Sequence, residues 1–156
     1  MPTLLSTRDL GGLAEWYAAH PTTWPTGPRF DPVRRWYGRL ASSEDHEAWL
    51  LTWLPGQATE LHDHGGSAGA FTILTGVLTE QTPSREGAPV RLADRSYGVA
   101  AIRRFGPRHV HRVVNAGTEP AVSLHVYAPA LTRMTRYAIE GGALRTLAID
   151  EAGRDW

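Results

Sequence analysis

Two pairs of histidines, each separated by one residue, are the side chains whose types and spacing best suit chemistry. His62 and His64 form the first pair and His109 and His111 the second, in a chain with seven histidines and no cysteine. Residues two apart on a strand project to the same face about 7 Å from one another, so His62 and His64 can hold one metal ion. A third imidazole would come from the second pair, and three neutral imidazoles leave open positions for a substrate and for dioxygen or water. A solvated strand face is the alternative reading of one such pair.

Charge and composition restrict the kind of partner. The 156 residues predict one domain over 1–156, and sixteen Lys and Arg balance sixteen Asp and Glu, so no excess positive charge is present to bind nucleic acid. The sequence has neither the layout of a signal peptide nor a run of roughly 18 apolar residues that would cross a membrane. We therefore expect a cytoplasmic protein. The absence of cysteine leaves His and carboxylates as the metal ligands, and monomer and homodimer both stay open.

The N-terminal part is predicted to be a flank over residues 1–32 that packs on the main body. Apolar residues at three- and four-residue spacing predict an amphipathic helix over residues 6–20, with Ser6 as the candidate N-cap. Residues 21–32 carry four of the eleven prolines and predict an irregular connector.

The rest of the chain reads as short strands separated by turns. Residues 35–41 and 48–54 flank a polar turn and predict a hairpin. Five further strand candidates follow, at residues 70–80, 90–93, 98–103, 109–114 and 121–127. The tail after residue 130 is mixed, with a short strand or helix. Roughly seven short strands predict an all-β antiparallel barrel or sandwich with its core over residues 35–130.

Four residues near the histidines are assigned to structure rather than to chemistry. Trp49, Leu51 and Trp53 alternate along one predicted strand and fit a buried face better than an aromatic ligand box. Glu60 shares the predicted face of His62, and we expect it at the solvent-exposed rim rather than on a metal.

Glycines around the first histidine pair reproduce a known spacing. Gly56, His62, His64 and Gly76 resemble the first motif of the cupins, a superfamily of small antiparallel β-barrels or jelly rolls, in which Gly-x5-His-x-His is followed by an acid and a glycine. The position of the acid falls on Gly69, so this sequence supplies no carboxylate there.

The second cupin motif, Gly-x2-His-x3-Asn, is divided between the two histidines of the second pair. Gly106 and His109 match its first half, whereas His111 and Asn115 match its second half. The general motif therefore leaves the choice of the third ligand open.

Three stretches resemble a narrower group, the cysteine dioxygenases, which are non-haem iron thiol dioxygenases. They are residues 62–80, residues 111–127 and the hairpin that ends in Arg39, within a similarity that runs from about residue 35 to residue 130. In that family the histidine of His-Arg-Val-x-Asn is the third iron ligand, which implies His111. His109 would then be a packed or hydrogen-bonded neighbour.

The resemblance also implies roles around the metal. Ser123, His125 and Tyr127 alternate on one predicted strand face and resemble the family's hydrogen-bonded triad, although cross-strand packing alone would give the same alternation. At the position of Gly69, animal members carry a cysteine that is crosslinked to the tyrosine of the triad. The glycine in this sequence therefore implies that Tyr127 is not crosslinked. The tyrosine hydroxyl would reach toward bound substrate or oxygen.

A guanidinium is expected to hold the carboxylate of the substrate, because its planar fork matches two carboxylate oxygens. The resemblance favours Arg39 for this role. Four other arginines compete with it, namely Arg34, Arg35, Arg133 and Arg136.

The function implied by the resemblance is Fe(II)-dependent addition of dioxygen to the sulfur of L-cysteine, which gives cysteine sulfinate. His62, His64 and His111 would bind the iron, and a small thiol and O2 would be the partners. Alternatives with the same metal site are oxidation of 3-mercaptopropionate and a specialised route that takes cysteine to another sulfur product. A non-catalytic metal-binding cupin and a non-oxidative cupin enzyme are alternatives of other classes.

Overall fold

The described part of the chain folds as an antiparallel β-barrel with one α-helix packed on its outer side. The structure is a computed structural model and describes residues 9–84 and 87–152. Within these residues the elements, in chain order, are α1 (Leu10–Ala19), a 3-10 turn (Pro21–Thr23), β1 (Tyr37–Ser42), β2 (Glu47–Trp53), β3 (Leu61–His62), β4 (Ala68–Thr75), β5 (Leu78–Pro83), β6 (Leu92–Tyr97), β7 (Ile102–Phe105), β8 (Arg112–Val114), β9 (Ala121–Ala128), β10 (Arg133–Glu140) and β11 (Ala143–Glu151).

Three antiparallel sheets make the barrel. The largest has the strand order β1-β2-β9-β4-β7, and the two smaller sheets have the orders β11-β10-β3 and β6-β5-β8. A backbone bridge between His62 and His111 joins the two smaller sheets. The prediction of an all-β antiparallel fold with an N-terminal helix is confirmed, while the single-domain boundaries stay a prediction. No helix in the described ranges is long and apolar enough to cross a membrane.

The central strand β9 separates two apolar cores. Val122, Leu124 and Val126 pack on the side of the sheet that α1 covers. Tyr127 and the residues at the alternate positions face the barrel interior, as the two-residue period of a strand requires. This alternation is what carries polar side chains into the interior of a strand that is buried along its whole length.

Helix α1 is shorter than the sequence predicts, and a different residue caps it. Asp9 accepts a hydrogen bond of 2.8 Å from the Gly12 amide, and an acid at this position stabilises the first turn. The candidate cap Ser6 lies outside the described residues. Leu10, Leu13 and Tyr17 are buried against the sheet, which confirms the predicted apolar face.

The predicted strand over residues 70–80 is two strands, because Gly76 turns the chain between them. Gly76 has φ +78°, and a side chain at this position would place its Cβ 2.7 Å from the Pro120 carbonyl oxygen. Only glycine meets both requirements. The turn lets β4 and β5 enter different sheets.

The tail forms more of the barrel than the sequence predicts. Instead of one short element after residue 130, β10 and β11 make a long hairpin, and β10 pairs with β3 so that Arg136 lies opposite His62. The barrel therefore extends well beyond the predicted core of 35–130. Strand β6 covers Leu92–Tyr97 rather than the predicted 90–93, and β7 begins only at Ile102 because residues 98–101 connect the two strands.

A buried hydrogen bond fastens α1 to the hairpin of β1 and β2, and removing it is expected to destabilise the fold. The Tyr17 hydroxyl lies 2.8 Å from His46 Nε2, and His46 Nδ1 lies 2.8 Å from Asp45 Oδ1. Because His46 is fully buried, Tyr17→Phe leaves its Nε2 without a partner. We expect the free energy of unfolding to fall by about 1–3 kcal/mol in urea denaturation.

The matched control is Tyr37→Phe, which removes a hydroxyl from a side chain that is 40% exposed. Its free energy of unfolding should stay within about 0.5 kcal/mol of the unsubstituted protein. Equal losses in the two variants would show that the hydroxyl of Tyr17 has no special role.

Candidate metal centre

Three histidines from different parts of the barrel meet in its interior. His62 ends β3, His64 lies in the turn that follows, and His111 directly precedes β8. Each offers one ring nitrogen within a group whose members all lie within 4.8 Å of one another. Their ring centroids are 4.7–5.0 Å apart and all three side chains are buried. The predicted ligands are therefore brought together, although His64 lies outside the strand on which the sequence placed it.

The turn that presents His64 is held by Asp63. Asp63 Oδ1 accepts hydrogen bonds from the Gly65 amide at 3.1 Å and the Thr135 amide at 3.0 Å, and the Tyr137 hydroxyl donates to Oδ2 at 2.7 Å. The acid between the two histidines thus ties this turn to β10. Its role is to fix the backbone that carries the second histidine.

Hydrogen bonds on the outer side of two rings direct their other nitrogens inward. His62 Nδ1 lies 2.8 Å from the Glu60 carbonyl oxygen, which can only accept, so Nδ1 carries the proton. His111 Nδ1 donates in the same way to Glu80 Oε2 at 2.7 Å. Both Nε2 lone pairs are then available to a metal. The two ring nitrogens of His64 are buried and have no hydrogen-bond partner among the described residues.

The three imidazoles are neutral at ordinary pH. Burial lowers the pKa of His62 and of His64 well below the usual value, and the neighbouring rings add to this effect. Burial also lowers the pKa of His111, against the opposing influence of Glu80. Because a metal binds the neutral ring, no proton has to be displaced from these nitrogens. His64, whose ring nitrogens lack partners in the described residues, lies beside His62 and His111, whose Nε2 atoms are directed inward. This set of donors fits a divalent transition metal.

Glu80 is a buried acid that the sequence reading missed. Its Oε2 accepts from His111 Nδ1 at 2.7 Å and from His109 Nε2 at 3.0 Å, and its Oε1 accepts from Arg103 Nε at 2.8 Å. Burial alone would raise the pKa of Glu80, but these donors outweigh it and hold the pKa well below the usual range. The sequence contains one indication of this position. Glu80 lies two residues after Leu78, and both side chains are on the inward face of β5.

A cavity of about 100 Å³ lies against the histidine cluster. Its walls are mostly apolar, and the small volume favours a ligand of a few heavy atoms. The lining residues besides His62 and His111 are Arg35, Tyr37, Trp49, Leu51, Trp53, Thr59, Val113, His125, Tyr127, Leu131 and Met134. The predicted shared face of Trp49, Leu51 and Trp53 therefore forms one wall of this cavity.

The guanidinium in the cavity belongs to Arg35 and not to Arg39. Arg35 lies with its Cζ 5.0 Å from the Trp53 ring centroid, and its Nε is buried without a hydrogen-bond partner in the described part of the chain. Burial lowers the pKa of Arg35, and the nearby hydroxyls of Tyr127 and Tyr37 oppose this shift. Arg39 is exposed, its Cζ lies 5.9 Å from the Trp49 ring centroid, and it is not among the residues that line the cavity.

A chain of hydrogen bonds runs from Trp53 to Tyr127. Trp53 Nε1 donates to Ser123 Oγ at 2.9 Å, and Ser123 Oγ lies 2.8 Å from His125 Nε2. The Tyr127 hydroxyl lies 3.5 Å from His125 Nδ1, at the long limit for such a bond. Burial lowers the pKa of His125 to about 3 and raises the pKa of Tyr127 well above its usual range. Both side chains are therefore neutral.

The amino-acid sequence is similar to those of known proteins. A family model described as "Cysteine dioxygenase type I" matches residues 5–140. The chain belongs to this family. Cysteine dioxygenase type 1 of Danio rerio is 27% identical to it over 135 residues, which cover 80% of this chain and 66% of that protein. The chain thus spans slightly less than two thirds of the length of this curated relative.

Solved structures share the barrel. TT1209 from Thermus thermophilus superposes with a TM-score of 0.56 at 25% identity, covering 66% of this chain and 90% of that chain. An RmlC-like cupin protein from Desulfovibrio desulfuricans superposes with a TM-score of 0.55 at 19% identity, covering 69% of this chain and 93% of that chain. The fold is therefore the cupin fold, as the motif spacing predicted.

At Gly69, where other cupins carry an acid, the packing of this member of the cysteine dioxygenase family leaves no space for a side chain. A Cβ on Gly69 would lie 2.5 Å from Phe105 Cζ and 2.9 Å from the Val126 carbonyl oxygen. Phe105 also stacks on His64, with ring centroids 4.7 Å apart. A carboxylate or a cysteine at residue 69 would have to displace this ring, so the packing suits a centre of three histidines.

Glu60 behaves as the sequence predicts for a rim residue. Its carboxylate is about half exposed and pairs with Arg136 at 3.0 Å. Only its backbone carbonyl takes part in the centre, through His62.

Proposed function

We propose that this protein is an Fe(II)-dependent thiol dioxygenase that converts L-cysteine and O2 into cysteine sulfinate. The observation that carries the proposal is the buried group of three neutral imidazoles beside a small cavity that also contains a buried guanidinium. The family of the chain supports the same activity. The reaction is balanced, since the thiolate and one O2 give the sulfinate with both oxygen atoms on sulfur.

His62, His64 and His111 would hold the iron through one ring nitrogen each. When bound, Fe(II) supplies the activation of dioxygen and a positive charge that attracts the thiolate. The protein adds no negative ligand, because Gly69 and Phe105 leave no room for the acid found in other cupins. A dication held by three neutral ligands favours an anionic sulfur ligand over a neutral one.

Arg35 would bind the carboxylate of the substrate, in the role that the sequence reading gave to Arg39. A buried guanidinium whose Nε has no partner among the described residues is costly, and the carboxylate of cysteine supplies a partner. Arg35 lines the same cavity as His62, so one small molecule can reach both. Thiols that lack a carboxylate would leave the charge of Arg35 uncompensated.

Tyr127 would donate a hydrogen bond to the bound substrate or oxygen. Because Trp53 already donates to Ser123 Oγ, the buried Ser123 hydroxyl is left to donate its own proton to His125 Nε2. His125 then carries its proton on Nδ1 and directs it to the Tyr127 oxygen. The hydroxyl proton of Tyr127 stays free to point into the cavity.

The proposal is tested by oxygen uptake with Fe(II)-loaded protein and three thiols. Cysteine has both amine and carboxylate, 3-mercaptopropionate lacks the amine, and cysteamine lacks the carboxylate. We expect uptake with cysteine, weaker uptake with 3-mercaptopropionate and the weakest with cysteamine, at one O2 per thiol consumed. Fastest uptake with 3-mercaptopropionate would identify that thiol as the substrate. A product other than the sulfinate would show that the enzyme takes the thiol to a different sulfur product. If the loaded protein consumes no O2 with any thiol, a metal-binding or non-oxidative cupin takes the place of the dioxygenase.

A cytoplasmic location and the absence of nucleic-acid and membrane partners stay predictions of the sequence. A role in cysteine metabolism follows if cysteine proves to be the substrate.

A further inference from the structure

Behind His111, on the side away from the other two histidines, lies a buried anion. The side chain of Glu80 is 2% exposed and its Oε2 contacts His111 Nδ1 at 2.7 Å. His111 also belongs to the group with His62 and His64, and because its Nδ1 is bound to Glu80, Nε2 is the nitrogen left for that group. The carboxylate and the metal position therefore contact the two ends of one imidazole.

Two further side chains hold this carboxylate in place. Arg103 Nε lies 2.8 Å from Oε1, and His109 Nε2 lies 3.0 Å from Oε2. Rotation of the carboxylate would break its three hydrogen bonds, to Arg103, His109 and His111, so Oε2 stays directed at His111. This arrangement also explains why a second histidine stands two residues before His111. His109 contacts the carboxylate and takes no part in the group of three.

Glu80, His109 and His111 could themselves be read as a metal site, since their ligand atoms also lie within 4.8 Å of one another. The contacts argue against that reading. A cation at this place would have to break both imidazole–carboxylate bonds, and it would also meet the positive charge of Arg103, which already pairs with Oε1. Within residues 9–84 and 87–152, both ring nitrogens of His64 lack a partner, whereas the carboxylate of this second group is already hydrogen-bonded to both histidines.

We infer that Glu80 is a positioning residue for the metal centre, which orients His111, fixes its proton on Nδ1 and makes its Nε2 a stronger donor to the metal. Negative charge, which other cupins supply by direct ligation, reaches the metal here through one imidazole and leaves the coordination position open. A carboxylate bonded to a ligating histidine raises the basicity of the ring, and such partners typically affect metal affinity by about 10–100-fold. The inference deepens the proposed function and rests on it for the identity of the metal.

The test compares Glu80→Gln with Asp94→Asn in metal binding and redox potential. Glutamine keeps the shape of Glu80 and loses the charge. Asp94 is an exposed acid on β6, and its Oδ1 accepts a hydrogen bond from Gln81 Nε2 at 3.1 Å. We expect Glu80→Gln to weaken binding of Co(II), measured by competition with a chelator, by about 10–100-fold. The Fe(III)/Fe(II) potential should become more positive, because a weaker donor stabilises Fe(III) less. Asp94→Asn should change neither quantity.

Unchanged Co(II) affinity and potential in a folded Glu80→Gln protein would overturn the inference. If that variant does not fold, Arg103→Gln replaces it, since it keeps the carboxylate and removes the group that holds Oε1. A loss of Co(II) affinity in Arg103→Gln then supports the positioning role, and unchanged affinity and potential overturn it. Both readouts are made without thiol, so they separate this inference from the proposed reaction. A protein that binds metal but oxidises no thiol would leave the role of Glu80 intact.

Discussion

Replacing His64 with alanine is expected to abolish metal binding and to reduce thiol oxidation by at least about 10³-fold. His64 contributes the only imidazole of the three whose ring nitrogens both lack a partner in the described part of the chain, so a metal is the group that it is built to bind. Two histidines would remain, and loss of the metal removes several kcal/mol of transition-state stabilisation. Iron content after anaerobic loading and the initial rate of O2 uptake measure the two effects.

The control is His20→Ala, which removes an exposed histidine stacked on Trp16 on the far side of the sheet from the centre. Its iron content should equal that of the unsubstituted protein. Since His64 packs between Phe105 and Tyr127, the folding of His64→Ala must be checked by urea denaturation. A folded His64→Ala protein that still binds one iron per chain would rule out the three-histidine centre.

Replacing Arg35 with glutamine is expected to weaken cysteine binding by about 10–150-fold, because a hydrogen bond to a charged group contributes about 1.5–3 kcal/mol. Cysteamine has no carboxylate, so its binding should change little. The measurement is the dissociation constant of each thiol for anaerobic Co(II)-loaded protein, followed by the visible spectrum of the metal. Arg35→Lys should lie between, since it keeps the charge and loses the planar fork.

Arg39→Gln is the matched control for this prediction. Arg39 lies four residues later, on β1, and also stacks on a tryptophan of the cavity wall, but it does not line the cavity. Its substitution should leave the affinity for cysteine unchanged within about twofold. If Arg39→Gln weakens cysteine binding while Arg35→Gln does not, the carboxylate site belongs to Arg39, as the sequence resemblance favoured.

The sequence predicted which three histidines lie together, but not the elements that carry them, since His64 lies outside β3. The spacing from Gly56 to Gly76 identified His62 and His64, because a motif of fixed spacing reports a local piece of chain. The two-residue period placed Ser123, His125 and Tyr127 on one face of β9, and the structure has them there. A buried strand keeps its period, so its side chains can be assigned to faces from sequence alone.

Residues that act across the barrel were not predictable in this way. Glu80 reaches His111 from 31 positions earlier in the chain, and no local pattern encodes which inward-facing residues of two strands will meet. Arg35 precedes β1, so its direction is set by packing on Trp53 and not by the period of the strand that carries Arg39. The tail was underestimated because the residues of β10 and β11 are largely exposed and lack a strong apolar alternation.

The glycine at residue 69 determines which side chain packs beside the three histidines. The space that a carboxylate would need is filled by Phe105, which stacks on His64. The buried negative charge of Glu80 lies one imidazole away, beyond His111. In this chain the acid therefore contacts the far side of a proposed ligand histidine instead of the position that Gly69 occupies.

The measurement that tests the central claim most directly is mass spectrometry of the product formed from cysteine under ¹⁸O2 by Fe(II)-loaded protein. The account predicts cysteine sulfinate with both oxygen atoms labelled, and no product when iron is removed. Sulfinate with one label or none, or a product that forms equally well without iron, would contradict the claim that this three-histidine centre is a thiol dioxygenase.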